Sequence, residues 1–556
     1  MKTFTFLQHS LFLGQKSFRF ALVFATLILT YLSGLSQPVI TSNLPIVIIN
    51  TNGQTILNEP KIAATMKIVG KSVVAGSPDS VYYYSVSSNS NVYQYSGNIG
   101  IEIRGNTSTY WPKKSYGFET REAATDADSN VVLLGMPKEA DWVLNACFGD
   151  KSFLREVLSQ EMFRKTNRYA PRTRYVELYL NVNGQPLYQG VYILMEKIKR
   201  NDNRVKIKKL EEVDTDAAKI TGGYILQVGE NEEKKWSSHI PPNDVPLQAP
   251  PIFHVEYPKL HEYTNTTSLN LQFNYIKQYM YNFETALNGP DFKSPTLGYR
   301  PYLNVDSFVD FFLLQEFTKN SDAWRVSTFL YKDRDSEGGR FTLGPPWDFD
   351  KSMGNQQFCY PRSVKPDSSW AWQFNIYCPG RTSSTPFWAK KVLEDCYFVQ
   401  KLVTRYRELR KGPWHLDSIH HFIDTQRTLL KAKDAITRNF TKWDILEDPI
   451  MYNEYYPLPG NTFDKEVDYL KTWLTAHLAW MDANIEAVGP LTQPTLTSAN
   501  CTTGVITSVY SLLSECVLPT NQPTTYQAPA YIQLNPGFSV QGQASFVAKI
   551  EACPTN

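Results

Sequence analysis

The order of segments in this chain predicts an α+β protein: a β-rich N-terminal lobe, a helical C-terminal lobe, and a small β module at the C-terminal end. Three observations lead there. Short β-branched and aromatic runs broken by turn signals fill residues 44 to 105 and 173 to 228. From residue 265 to 487 apolar residues recur mostly at helical spacing. Beyond Gly489-Pro490 the composition turns Thr/Pro/Ser-rich and then β-like again. At 556 residues the chain exceeds one ordinary domain, and 42% hydrophobic with 13% aromatic residues supplies large cores. Strands, a hairpin, then helices place the pocket between a sheet-rich and a helical lobe.

Each element follows in turn. Lys2, Lys16 and Arg19 precede the apolar run Phe20–Gly34, with small residues and Gln37 after it. This is the pattern of a secretory signal peptide over residues 1–36, cleaved near Ser36/Gln37. The run is short for a membrane span of about 20 residues, although an uncleaved anchor is the alternative. The expectation is an exported protein, secreted, periplasmic or on the cell surface, with no membrane span after cleavage. Residues 37–98 read as a β-rich region that includes "LPIVIINTNG", which ends on an Asn-Gly turn. Residues 150–166 show helical spacing, with Asp150 or Ser152 as the N-cap. "RYVELYLNVNG" and "QGVYILMEKIKR" form a hairpin about Asn183-Gly184, and "GGYILQV" is a further strand. Residues 305–320 are a buried amphipathic helix, and two strands then flank a turn at Glu337-Gly338-Gly339. Residues 387–487 hold several long helices, including single helices over "DSIHHFIDTQRTLLKAKDAITRNF" and "KEVDYLKTWLTAHLAWMDANIEAV". The main domain therefore spans 99–489, and 490–556 is a linker with a β module. No period of 20–50 residues recurs, which argues against a solenoid.

A net charge of +2 gives no electrostatic case for nucleic acid. Of the seven Cys, Cys359 and Cys378 are near neighbours, as are Cys501 and Cys516, and both are candidate disulfides in an exported protein. The odd count leaves one thiol over, and no zinc spacing occurs.

The densest chemistry lies in "LGPPWDFDKSMGN", residues 343–355, where Asp348 and Asp350 follow a strand. Asp322 lies just past the 305–320 helix, and a strand–turn–strand excursion can bring it back to face that pair. Carboxylate oxygens suit hard cations such as Mg²⁺ or Mn²⁺. Phosphoryl transfer uses one Asp to orient or deprotonate a hydroxyl and another to hold the metal. The alternatives are a solvated turn or a glycosidase acid–base pair, which i and i+2 residues on one strand suit no better than joint metal binding. In "IRGNTSTYWPKKSYGFET", Arg104, Lys113 and Lys114 flank a small-residue turn that can present N–H groups to phosphate; a solvated edge-strand Lys pair is the alternative. Glu196 interrupts an apolar strand and needs a basic partner, and Arg155 lies beside the apolar face of its helix. His420 and His421 read as surface or packing residues.

Five segments in order resemble one family: "GNIGIEIRGNTSTYWPKKSYGFET", "DWVLNACFGDKSFLREVLS", "VELYLNVNGQPLYQGVYILMEKIKR", "KNSDAWRVSTFLYKDRDSEGGRFTLGPPWDFDKSMGN" and "RYRELRKG…RNFTKW…EVDYLKTWLTAHLAWMD". Together they resemble the CotH kinase family, in the style of exported Bacteroidetes-type members. The resemblance implies an atypical protein kinase-like fold that uses ATP with Mg²⁺ or Mn²⁺ and acts on Ser or Thr of a secreted or surface protein. It implies Asp322 as the catalytic base and Asp348 and Asp350 as metal ligands. Lys114 or Lys113 would pair with phosphate alongside Arg104 and Arg155, and Met195, Glu196, Lys197 and Trp347 would lie near the nucleotide. At the second metal position, where a kinase-like loop has Asn, stands Ser327. A binding protein on the same scaffold, or a glycoside-active enzyme, are the other functions weighed.

Overall fold

Strands of the N-terminal part close on themselves, several of them, such as Ile46–Asn50 and Asp141–Asn145, buried along nearly their whole length. The computed structural model describes residues 39–73, 80–86, 91–229, 234–242, 249–355, 365–379, 384–450, 459–489, 495–497, 501–551 and 553. The expected signal peptide and Cys359 lie outside them. Ten strands come first: β1 (Val39–Ser42), β2 (Ile46–Asn50), β3 (Ile62–Val69), β4 (Lys71–Val73), β5 (Ser80–Ser85), β6 (Tyr93–Arg104), β7 (Ser115–Arg121), β8 (Val131–Leu133), β9 (Met136–Glu139) and β10 (Asp141–Asn145). After helix α1 (Arg155–Arg164) come β11 (Thr173–Val182) and β12 (Gln185–Glu196). The hairpin turn between them uses left-handed backbone at Asn183 (φ 51°) and Gly184 (φ 82°), as the Asn-Gly signal requires. Strands β10-β12-β11-β2-β3-β6-β7 make a closed barrel, β7 pairing back to β10. Its inward residues, among them Ile49, Met66, Ile101, Phe118 and Trp142, form a separate core. Closure leaves no free sheet edge. The boundary expected near residue 98 falls inside β6, and β2 and β3 belong to the same barrel as the strands after it.

Against the barrel stand a second sheet and a helical layer. β13 (Tyr224–Val228), β14 (Lys235–Ser237) and β15 (Ile252–Tyr257) precede α2 (Thr266–Asn288) and α3 (Val305–Thr318). Then β16 (Thr328–Lys332) and β17 (Thr342–Leu343) complete the sheet in the order β14-β15-β13-β16-β17. Asn265 and Asn304 cap α2 and α3, each accepting a first-turn N–H, with Asn304 Oδ1 3.1 Å from Ser307 N. From Ser307 to its end α3 is buried on every face, so it is a core helix rather than an amphipathic one. The longer helices that follow are α4 (Cys396–Lys411), α5 (Leu416–Lys431), α6 (Ala435–Lys442) and α7 (Phe463–Asn484). None of the described helices is long and apolar enough to cross a membrane.

Three expectations need correction. The helix at 150–166 begins only at Arg155, capped by neither Asp150 nor Ser152. Asp150 instead folds the preceding turn, accepting from Ser152 N at 3.0 Å and Arg155 N at 2.9 Å. The helix expected over "DSIHHFIDTQRTLLKAKDAITRNF" is two, because Lys433 (φ 50°) and Asp434 (φ 58°) break it. The tail is a parallel, solenoid-like stack. β18 (Thr495–Leu496), β19 (Gly504–Thr507), β20 (Ser511–Ser514), β21 (Val517–Leu518), β22 (Thr524–Ala528), β23 (Tyr531–Leu534), β24 (Ser539–Val540) and β25 (Phe546–Ile550) pair only in parallel, Gly504 with Thr524 and Thr524 with Phe546. Each strand meets the one a coil later. So few coils give no sequence repeat to detect.

The Cys501–Cys516 disulfide forms as expected. Cys396 joins Cys553 across a sequence separation of 157, and Cys378 is also disulfide-bonded. Cys147 is free and buried.

Candidate functional site

The site is assembled where the end of α3 meets the segment after β17. Pairing of β16 with β17 (Leu330 with Leu343) returns the chain toward its start. Backbone and side-chain bonds then fasten the two segments. Met353 N donates to Thr318 O at 2.7 Å, Ser321 N to Lys351 O at 3.2 Å, and Asn320 Nδ2 to Asp348 O at 3.3 Å. Asp348 and Asp350 lie on a turn, not on a strand, so the i, i+2 strand argument does not apply. Asp322 nevertheless comes back to the same place, as the excursion argument required.

The local backbone is unusual. Lys319, Trp324, Ser327, Asp348 and Met353 all have left-handed φ, from 43° to 70°. Such conformations cost about 1–3 kcal/mol each for non-glycine residues and persist only where surroundings enforce them. Trp324 is one enforcer: it is fully buried with its ring 5.4–5.5 Å from those of Phe308, Phe311 and Phe312 on α3.

These segments form one wall of a cleft of about 530 Å³. Asp322, Arg325, Ser327, Trp347, Asp348, Asp350 and Lys351 line it. The end of β6 and the turn after it, Arg104 to Ser108, also line it, with Trp111, Val143, Cys147, Glu156 and Met195. Gly149 backs the acidic corner. A Cβ there would lie 3.2 Å from Asp350 Oδ2 and 2.6 Å from the Trp111 ring, so only glycine leaves room for both.

The carboxylates share a strained field. Burial, then repulsion from Asp322, holds Asp348 above the usual range, while the Ser327 hydroxyl, donating to Asp348 Oδ2 at 3.2 Å, opposes the shift. Burial and the Asp348 charge push Asp350 well up. Burial raises Glu156 to about 7, and it accepts from Phe349 N at 2.7 Å and from Gln160 Nε2 at 2.7 Å. Burial depresses Lys351, but Asp322, Asp350 and Asp348 outweigh it and keep the ammonium charged. Like charges crowded this way are typical of sites that receive a cation. An all-oxygen donor set suits a hard divalent ion. Among the described residues no three His, Cys, Asp or Glu groups converge into a complete cluster, and Mg²⁺ characteristically takes only one or two carboxylates, with water and phosphate for the rest.

Several candidates stand elsewhere. Lys113 does not line the cleft; its ammonium is buried, donating to Ala146 O (2.8 Å), Val191 O (2.5 Å) and Asn439 Oδ1 (3.0 Å), and burial lowers it to about 7. Lys114 also lies off the cleft and donates to Thr109 O and Trp111 O, at 2.7 and 2.6 Å. Arg155 is fully buried, ion-paired to Asp150 at 2.6 Å and bonded to Ser352 O at 3.0 Å, so it braces the acidic turn from behind. Glu196 finds the basic partner it needed in Arg172, at 2.9 Å, and Lys197 faces Asp141 at 3.6 Å; neither lines the cleft. Met195 does line it, and Trp347 does so under the Arg104 guanidinium, 5.1 Å from the ring centroid. Sequence reasoning missed Glu156, Arg325 and Lys351. Lys351 was visible next to Asp350, whereas burial of Glu156 depends on contacts with residues nearly two hundred positions away. His420 is off the site, with Nε2 3.3 Å from Thr475 Oγ1 on α7.

A family model described as CotH kinase protein matches residues 101–481, more than half of the chain. The chain belongs to the CotH kinase protein family. A search of curated proteins finds no match. In this CotH kinase protein the match takes in the whole acidic corner and Arg104, while β1 to β5 precede it and the solenoid-like tail follows it. β2 and β3 are thus barrel strands supplied from outside the matched region.

Proposed function

We propose that this CotH kinase protein is an exported phosphotransferase that moves the γ-phosphoryl group of ATP to a Ser or Thr hydroxyl of a secreted or surface protein. One observation carries the reading: Asp322, Asp348 and Asp350 line one cleft together with Arg104 and a small-residue turn. The family membership and the permitted disulfides support it.

In this reading Asp322 takes the hydroxyl proton. Its Oδ1 accepts from Arg325 Nη2 at 2.6 Å, which helps to fix the carboxylate in the cleft. The acceptor oxygen bonds to the γ-phosphorus as the bond to the β–γ bridging oxygen breaks, and ADP leaves. Asp348 and Asp350, with Ser327 beside them, would hold Mg²⁺ or Mn²⁺. Bound there, the metal would neutralise charge building on the phosphoryl oxygens. Arg104, stacked on Trp347, neutralises the donor's outer phosphates, and Met195 offers an apolar contact to the base.

Incubation with Mg²⁺ or Mn²⁺ and labelled ATP is expected to give transfer that Asp322→Ala and Asp348→Ala abolish, a loss of at least about 10²-fold. No nucleotide-dependent thermal shift with either metal would overturn the reading. Ser327 favours a second one, a surface-binding scaffold without turnover. Under it, both Asp variants keep partner binding although labelled ATP gives no product.

A further inference from the structure

We propose that Lys351, opposed by Arg104, grips the donor's phosphate chain, and that its ammonium supplies the positive charge a second divalent ion would otherwise bring. The inference rests on the phosphotransfer reading above and names which residues of this chain serve it.

Basic side chains around the cleft fall into two groups. Lys113 and Lys114 are committed to backbone carbonyls. Arg155 is committed to Asp150 and the Ser352 carbonyl, and Arg325 to Asp322 and the Ser321 carbonyl. An ammonium holding two or three carbonyls in place has little capacity left for a ligand. Lys351 and Arg104 differ. Both line the cleft, and among the described residues neither forms an ion pair or a side-chain hydrogen bond. Arg104 rests on the Trp347 face and feels the charges of Asp348, Glu256, Glu102 and Glu156.

The position of Lys351 is as informative as its freedom. The residue follows Asp350 directly in the chain and lines the same cleft as Asp322, Asp348 and Asp350. Its backbone carbonyl accepts both Ser321 N and Ser321 Oγ at 3.2 Å, so the lysine is fixed to the loop that carries Asp322. Meanwhile the second metal position is weak. Ser327 Oγ donates its hydrogen to Asp348 Oδ2, and among the described residues no three-ligand cluster exists. A site with three acids, one poor neutral ligand and an ammonium lining the same cleft balances its charge with one divalent ion instead of two.

Two measurements test this. In calorimetric titrations with Mg²⁺ present, Lys351→Met and Arg104→Met are each expected to bind ATP about ten- to a hundredfold more weakly than the unaltered protein, the loss of a charged hydrogen bond. Adenosine, which lacks phosphate, is expected to bind all three alike, and Lys351→Arg to recover most of the ATP affinity. Electron paramagnetic resonance counting of Mn²⁺ with a non-hydrolysable ATP analogue is expected to give one ion per chain. Circular dichroism melts establish that each variant is folded. Lys351→Met binding ATP as tightly as the unaltered protein, or two Mn²⁺ per chain, overturns the inference while leaving phosphotransfer standing. An unaltered protein with no affinity for ATP overturns both.

Discussion

Ser327 has φ 50° and Asp348 φ 70°, and the hydrogen bond between them joins two residues held in left-handed backbone. Asn enters that conformation more readily than Ser, so Ser327→Asn fits the backbone. It is expected to leave the folding stability within about 0.5 kcal/mol of the parent and to make a second Mn²⁺ countable beside a bound nucleotide. No second ion even when Lys351→Met is combined with it would show that position 327 does not face a metal. Glu316, deep under the same loop, accepts from Ala371 N and Trp372 N at 2.6 and 2.9 Å, and burial raises it from the usual 4.5 to about 8. The native state holds this proton between pH 4.5 and 8, where the unfolded chain has released it. Stability therefore is fullest below pH 4.5 and falls as pH rises through 8, by on the order of 4 kcal/mol from this group. Glu316→Gln imitates the protonated acid, so urea melts at pH 5 and pH 8 are expected to differ less for the variant than for the parent. The acids of the cleft were legible in the sequence because "WDFD" sets them side by side. Lys113 and Arg155 were visible as chemistry but not as partners, because their partners Asn439 and Ser352 come from distant segments, whereas Arg172 meets Glu196 across the hairpin the sequence does show.

Among elements, α3 and the loop it launches decide whether the site exists. The helix was readable from its apolar run, but its burial on all faces was not, because that depends on α4, α7 and β17 packing round it. Trp324 locks the loop against Phe308, Phe311 and Phe312. Trp324→Ala is expected to cost about 3–5 kcal/mol in a denaturant titration and to lower nucleotide binding by misplacing Asp322. Full binding in a folded variant would show that α3 alone holds the loop. The break between α5 and α6 was hidden for a different reason: Lys433 and Asp434 carry no glycine or proline signal, and only the need to bring Asn439 against the barrel explains two left-handed residues in succession.

At the scale of the molecule, the tail is fastened to the helical layer. The Cys396–Cys553 disulfide joins the first residue of α4 to the end of the stack. Glu486 bonds to Arg407, Tyr531 and Ser511, and Arg407 also reaches Tyr510 at 2.9 Å. Cys553→Ser is expected to lower non-reducing stability by about 2–5 kcal/mol and to make the midpoint less sensitive to reductant; an unchanged melt would assign the docking to Glu486 and its partners alone. The tail's β character was legible, but its parallel order was not, since pairing partners one coil apart share no repeated motif. The barrel and helical layer are also fastened together. Asn439 Oδ1 accepts from Val191 N at 3.1 Å and from Lys113 Nζ, Arg438 pairs with Glu177 at 2.7 Å, and Trp443 Nε1 donates to Gln189 O at 2.8 Å. Gly190 permits this approach, because a Cβ there would lie 2.6 Å from Asn439 Oδ1. Fastenings of this kind oppose a hinge between the barrel and the helical layer, and intact hydrogen-exchange protection of Val191 N on nucleotide binding is the expected result. With the hinge opposed, ligand exchange is expected to need only side chains swinging at the cleft mouth, on picoseconds to nanoseconds, and not domains opening over microseconds to milliseconds, so that the time a ligand stays follows the strength of its contacts.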